Sequence, residues 1–289
     1  MTGAPMRGQG ESAIMPFWPG GALFRALHLM IDQDKLRLAL GADAASFALD
    51  VRETCSSTNA ELMAAPPRED GRVPVLVCHH QTAGRGRRAR QWLAWPGATL
   101  TFSARWTFPA QSAAPAGLSL VAGLAVANAL ESCGAQGVEL KWPNDLQIHG
   151  RKLGGILVEL SRHRGGMDAV VGIGLNLFFP DGASVPDRPD VVALADSMET
   201  VPAVETLLAK ILVAQRHLFA TYTHAGFEAF CDAWNQRHAY ADLPVTITGE
   251  GEAIHGVCRG ADTDGALRLE TDAGTRRILA GDVSLRLAR

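Results

Sequence analysis

The 289-residue chain reads as an α+β domain followed by a small all-β barrel. Three observations carry that reading. Between residues 46 and 240, short apolar strand patterns interleave with stretches of helical period. After about residue 240 the helical period stops, and short strand patterns follow at close spacing, separated by Gly/Asp turns such as Asp262-Thr263-Asp264-Gly265. A 47% hydrophobic fraction supports a sizeable core and excludes a disordered chain.

The elements follow in order. Residues 1–44 form an accessory extension, Gly/Pro-rich over 1–21 and with apolar residues at helical spacing over 22–40. Residues 46–51 predict the opening strand of the main domain. Thr58 and Glu61 stand at capping-box spacing, so a short helix starts there and stops before Pro66-Pro67. Residues 73–78 read as a buried strand and 99–106 as a half-exposed one. The segment 117–133 is apolar almost all round, which predicts a helix buried against a sheet. Strands are expected at 137–142, 156–160 and 169–175, and amphipathic helices at 206–222 and 227–234. The barrel strands fall at 245–248, 253–258, 266–270, 276–279 and 283–287. The expected domains are therefore 1–44, 45–240 and 241–289.

Composition excludes several classes. With 27 basic against 30 acidic residues the net charge is −3, which argues against a surface built wholly for nucleic acid. The longest apolar stretch, 118–130, is interrupted by Ser119 and Asn128 and is too short to span a bilayer. Pro5, Gly8, Gly10 and Glu11 stand where a signal peptide would carry its apolar run, so no export signal is read. The five cysteines are odd in number, widely spaced and without a CxxC pair, as expected of reduced packing thiols. These features predict a cytoplasmic protein.

Four segments carry chemistry. Gly84-Arg85-Gly86-Arg87-Arg88-Ala89-Arg90-Gln91-Trp92 combines glycines, which let backbone approach a ligand, with guanidinium groups suited to phosphate. It fits a nucleotide phosphate site with Trp92 over a base, and it also fits a nucleic-acid patch. Lys141-Trp142-Pro143-Asn144-Asp145 places a cation, an amide and a carboxylate on one turn. Lys141 can neutralise phosphate, and Asp145 can hold magnesium or accept a proton. Arg151-Lys152-Leu153-Gly154-Gly155 leads a lysine into a tight glycine passage before an apolar strand. Gly172-Ile173-Gly174-Leu175-Asn176 holds half of a dinucleotide fingerprint without its remainder, so a Rossmann site is rejected.

In that order, and with Ser57-Thr58-Asn59 ahead of them, these motifs resemble the bacterial biotin protein ligases, the biotin–[acetyl-CoA-carboxylase] ligase family. The resemblance covers about residues 45–240 and the C-terminal unit. It implies a mixed β-sheet flanked by helices, of class II synthetase-like type, plus a small C-terminal SH3-like β-barrel. It implies biotin and ATP as substrates, Mg2+, and a biotin carboxyl carrier protein or domain of acetyl-CoA carboxylase as partner. Biotin contacts are implied for Ser57, Thr58, Asn59, Gln81, Arg85, Gly86, Arg87, Lys152 and Gly155. ATP or adenylate contacts are implied for Arg87, Arg90, Trp92, Lys141, Asn144, Asp145, Lys152 and Asn176. Lys152, Arg85, Arg87 and Asp145 are the implied catalytic groups, with Asp145 also the metal ligand. Ala89 departs from the glycine of well-known relatives.

A lipoate ligase or octanoyltransferase shares the fold, but its arginine–triple-glycine signature is absent while the GRGR loop is present. Some relatives also carry an N-terminal winged helix and repress transcription. Here Ser57 comes early, and residues 1–44 hold only Arg7, Arg25, Lys35 and Arg37 as basic groups, so a ligase without operator binding is expected. No membrane association is expected. A homodimer is an option the family carries.

Overall fold

A seven-stranded mixed sheet organises the computed structural model, which describes residues 30–110, 112, 115–179, 190–249, 251–281 and 283–288. Its strands are β1 (Phe47–Cys55), β2 (Val73–Gln81), β3 (Thr99–Pro109), β4 (Val138–Lys141), β5 (Asp145–Ile148), β6 (Arg151–His163) and β7 (Gly166–Asn176). They lie in the order β1-β2-β3-β7-β6-β5-β4, with β1 and β2 parallel and the other pairs antiparallel.

Successive strand residues point to opposite faces, and that alternation divides the sheet chemically. On β3, Leu100, Phe102, Ala104, Trp106 and Phe108 enter the main apolar core. The intervening Thr101, Ser103 and Arg105 are buried polar residues. The apolar face is covered by α3 (Leu118–Ser132) and α4 (Val204–Ala225), with α1 (Gln33–Leu40) against α4. As an apolar helix should be, α3 is buried nearly all round. The polar face carries the short α2 (Thr58–Ala64). Arg105 secures that helix by donating to the carbonyls of Leu62, Ala65 and Pro66 at 3.2, 2.7 and 2.6 Å. A cation at a helix C-terminus also suits the helix dipole.

Several expectations shift. Of the helix expected over 22–40, the described residues hold Gln33–Leu40, where Asp32 caps it by accepting from the backbone N–H of Asp34 and Lys35. Residues 22–29 lie outside the described residues. Strand β5 was not foreseen, because its four residues follow a proline turn too closely to show a period of their own. Residues 227–234 hold a 3-10 turn, Glu228–Phe230, and then the one-turn helix α5 (Cys231–Asn235).

The C-terminal unit contains β8 (Pro244–Thr248), β9 (Ile254–Ala261), β10 (Leu267–Thr271), β11 (Gly274–Ile278) and β12 (Ser284–Leu287). The expected closed barrel is an open antiparallel sheet, β11-β10-β9-β8-β12, with no ladder between β11 and β12 among the described residues. Its outer strand β11 exposes Arg276 and Arg277, charges that disfavour edge pairing.

His238 joins the two sheets. Its Nδ1 lies 3.1 Å from the Leu140 carbonyl and its Nε2 lies 3.0 Å from Cys258 Sγ. A carbonyl only accepts, so Nδ1 carries the proton and the bare Nε2 receives the thiol. Burial lowers the His238 pKa from the ordinary 6.5 and raises that of Cys258. His79 is lowered by the same cause. The unfolded chain therefore takes up protons first as pH falls, and stability is fully present only above the ordinary histidine value. The unfolding free energy should decline as pH drops below about 6.5. His238→Asn should flatten that slope in urea titrations run between pH 7.5 and 5, and an unchanged slope contradicts the assignment.

Candidate active site

The polar face of the sheet becomes a site because α2 begins there. The backbone N–H and hydroxyl of Thr58 lie 2.8 and 3.2 Å from Gln81 Oε1. Ser103 Oγ sits 2.7 Å from Thr58 Oγ1 and 2.6 Å from Asn59 Oδ1. Asn59 Nδ2 donates to the Leu157 carbonyl at 3.2 Å and to Glu159 Oε2 at 2.9 Å. The other Glu159 oxygen faces Arg85 Nη2 at 3.1 Å. One carboxylate thus ties the start of α2 to the arginine loop.

That loop closes on itself: Gly86 N–H donates to Arg90 O at 2.8 Å, and Trp92 N–H donates to Gly84 O at 3.0 Å. Arg88 and Ala89 take φ of 59° and 54°, consecutive left-handed residues that are not glycine. Each such residue costs about 1–2 kcal/mol, so Arg88 and Ala89 strain the loop. Arg87 Nη1 donates to Asn144 Oδ1 at 3.0 Å, and its Nη2 donates to the Gly281 carbonyl. Asn144 Nδ2 in turn donates to the Ile156 carbonyl at 2.8 Å. Lys152 Nζ pairs with Asp145, and Lys141 Nζ stands 5.2 Å over the Tyr240 ring.

Most of these groups line one cavity of about 170 Å³, and Ser103, Glu159 and Gly281 hold its lining residues from behind. Arg85, from the β2–β3 connection, and Lys152, at the start of β6, both line it, as does every other residue for which the resemblance implies a contact except Asn176. Asn176 is buried and donates to the Val192 carbonyl at 3.2 Å, holding the chain that follows rather than lining the cavity.

Sequence reasoning missed Thr101, Ser103 and Glu159, and it quoted the two β7 glycines, Gly172 and Gly174, without giving them a place in the site. A Cβ on Gly172 would lie 2.1 Å from Asn59 Oδ1, and one on Gly174 would lie 2.3 Å from the Trp92 ring. The GxG is therefore a pair of same-face strand positions kept bare for neighbouring side chains. Period-2 spacing from Gly155 and Leu157 would have found Glu159. Also unforeseen are Val283, Ser284 and Leu285, which the C-terminal sheet contributes to the lining. Among the described residues no group of three His, Cys, Asp or Glu could cage a metal.

Residues 52–176 match the Biotin/lipoate A/B protein ligase family, and residues 244–286 match the Biotin protein ligase C terminal domain. A biotin–[acetyl-CoA-carboxylase] ligase of Paracoccus denitrificans is 38% identical over 238 residues, covering 78% of this chain and 96% of that protein. The bifunctional ligase/repressor BirA of Salmonella typhimurium is 36% identical over 215 residues, covering 74% of this chain and 67% of BirA. The biotin protein ligase of Aquifex aeolicus, solved with biotin and ATP, superposes with a TM-score of 0.72 at 28% identity. That superposition covers 83% of this chain and 99% of the Aquifex chain. The fold is that of the biotin/lipoate ligase class. Within it, the chain belongs to the biotin protein ligase family.

Glu159→Ala should free Arg85 and loosen the loop. Limited trypsin digestion, read by mass spectrometry, should show cleavage within 85–90 several times faster than in the unaltered chain. Equal cleavage rates would refute the tether.

Proposed function

We propose that the protein activates biotin with ATP as biotinyl-5′-AMP and transfers the acyl group to a lysine of a biotin carboxyl carrier protein or domain. The single observation that supports this best is the convergence of Arg85, Arg87 and Lys152 on one cavity with the Ser57-Thr58-Asn59 and Gln81 network. In the first step a carboxylate oxygen attacks the α-phosphorus, and pyrophosphate leaves with the bonding pair. An anion meets a polyanion there, so the barrier is largely electrostatic. Preorganised cations offset it without having to reorganise during the reaction.

In this reading Ser57, Thr58, Asn59, Gln81, Gly86 and Gly155 receive biotin, and Lys152 exchanges Asp145 for the biotin carboxylate. Arg85 and Arg87 face the reacting phosphate, with Arg90, Lys141 and Asn144 around the nucleotide. Trp92 rests on the bare Gly174, and its Nε1 is buried without a hydrogen-bond partner among the described residues. A nucleotide acceptor would satisfy that donor. Magnesium fits only as an ion arriving on the phosphates, since Asp145 is the one carboxylate proposed to reach it and a full protein cage is lacking among the described residues. Its contribution would be charge neutralisation.

In the second step a neutral lysine nitrogen attacks the acyl carbon. The N–C bond forms, the C–O bond to phosphate breaks, AMP leaves with the electron pair, and Asp145 takes the amine proton. Residues 45–240 would be the catalytic domain and 241–289 a unit completing its wall, with residues 1–44 an extension. Five free thiols suit a reducing cytoplasm, and among the described residues no helix is long and apolar enough to cross a membrane.

Carrier-domain mass after incubation with enzyme, ATP, magnesium and biotin should rise by one biotinyl group, and no gain refutes the proposal. Lys152→Ala should slow biotin-dependent pyrophosphate release by about 100- to 1000-fold while ATP still binds. Normal release by that variant contradicts the role of Lys152. Arg87→Gly, which removes the links to Asn144 and Gly281, should let the adenylate escape and label lysines of bystander proteins. Labelling confined to the carrier would count against enclosure by the loop.

A further inference from the structure

Lys152 faces the cavity only because the β5–β6 ladder is irregular. Asp145 pairs with Gly155 and Leu146 with Gly154, but the next residue, Gln147, pairs with Lys152, which leaves Leu153 as an extra residue on β6. Plain alternation from Gly155 would turn Lys152 to the apolar face together with Ile156. The bulge sends Leu153 into the core and turns Lys152 back to the face of Gly155. A Cβ added to Gly155 would lie 3.3 Å from Lys152 Nζ, so the ammonium rests over that glycine.

The same register sets Gln147 directly across from Lys152. Leu146 and Ile148 belong to the core, so Gln147 shares the opposite face of β5 with Asp145. Cross-strand partners of this kind stand about 4.5–5.5 Å apart at Cβ. Gln147 is 3% exposed and outside the cavity lining, yet its Oε1 has no hydrogen-bond partner among the described residues. A buried acceptor left bare costs stability, which a donor arriving in another state of the site would recover. Lys152, with three N–H donors on a flexible stem, can be that donor.

We infer that Gln147 is a positioning residue for Lys152. When the biotin carboxylate takes the place of Asp145, the Gln147 amide oxygen accepts one N–H of the ammonium. The remaining N–H groups then face the carboxylate and the reacting phosphate. This rests on the ligase reading and adds a residue that the reading does not use. A neutral amide suits the task because it fixes the direction of the cation and leaves its charge intact. A carboxylate in that place would cancel the charge that offsets the repulsion between biotin and ATP. Gln147 exchanges no proton and touches no substrate, so the bonds made and broken are those already given.

The test uses Gln147→Met, which keeps the length of the side chain and removes the acceptor, and Gln147→Leu. Both are made in the full chain and again in Lys152→Ala. Biotin-dependent pyrophosphate release and thermal unfolding are measured for each. With Lys152 present, either variant should lower kcat by about tenfold or more and keep the KM for ATP within about twofold, as expected for one lost hydrogen bond to a charged group. The melting temperature should hold or rise, because a bare buried acceptor is gone. In Lys152→Ala the same substitutions should change the rate by less than about twofold, since the group they position is missing. An unchanged kcat in both variants overturns the assignment. An equal fall with and without Lys152 does so too, because it marks a purely structural role. A lower melting temperature in both variants also overturns it, since Oε1 would then be bonded in the free protein. Absence of pyrophosphate release from the unaltered chain sinks the ligase reading, and this role with it.

Discussion

Positive charge gathered in a small space is the constraint on which the rest depends. Two unit charges 4 Å apart repel by about 4 kcal/mol at an effective dielectric of about 20. The fold meets this by giving each of the central cations an internal partner. Arg85 has Glu159, Lys152 has Asp145, and Arg87 has the Asn144 side chain and the Gly281 carbonyl. Anionic substrates can then enter by exchange for some of these partners, rather than by ordering unpaired side chains from scratch. The same pairing explains why residues from three strand connections and the C-terminal sheet must be present together.

Room for that arrangement comes from missing side chains. Gly172 and Gly174 sit on the polar face of β7, and Gly155 sits across from Gly174 on β6. Asn59 and Trp92 fill the space that side chains there would take. The opposite parity of the same strands, Ile156 on β6 with Val171 and Ile173 on β7, is ordinary core. A single alternation thus builds an apolar foundation on one face and a ligand surface on the other. Arg105 steadies the far end of α2, and Ser103 steadies its near end.

Much of this was legible in the residues. The helix at α3 followed from an apolar run without a polar face, and the short helix α2 followed from Thr58 and Glu61 and the prolines beyond. The motif residues proved to be neighbours because they lie at strand ends, in the loops that leave them, at the start of α2, or on the polar face of β6 and β7. The less visible parts were those set by partners far away in the chain. Strand β5 exists because β4 and β6 flank it. The five C-terminal strands suggested closure, whereas β11 presents arginines outward and stays an edge. Asn176 has the right residue type at a strand end, but its amide is taken by Val192.

By itself, the sequence determined which local segments alternate or wind, where chains turn, and which charged and glycine-rich motifs accompany one another. Those properties depend on backbone geometry and side-chain type within a few residues. Only the tertiary structure decided which faces the strands turn inward, that Glu159 holds Arg85 and Asn59 at once, and that the C-terminal sheet completes the cavity wall. Those outcomes depend on pairings between residues about a hundred or more positions apart, such as Asn59 with Glu159 and Arg87 with Gly281. No local pattern encodes such a pairing, because its energy appears only once the intervening chain has folded.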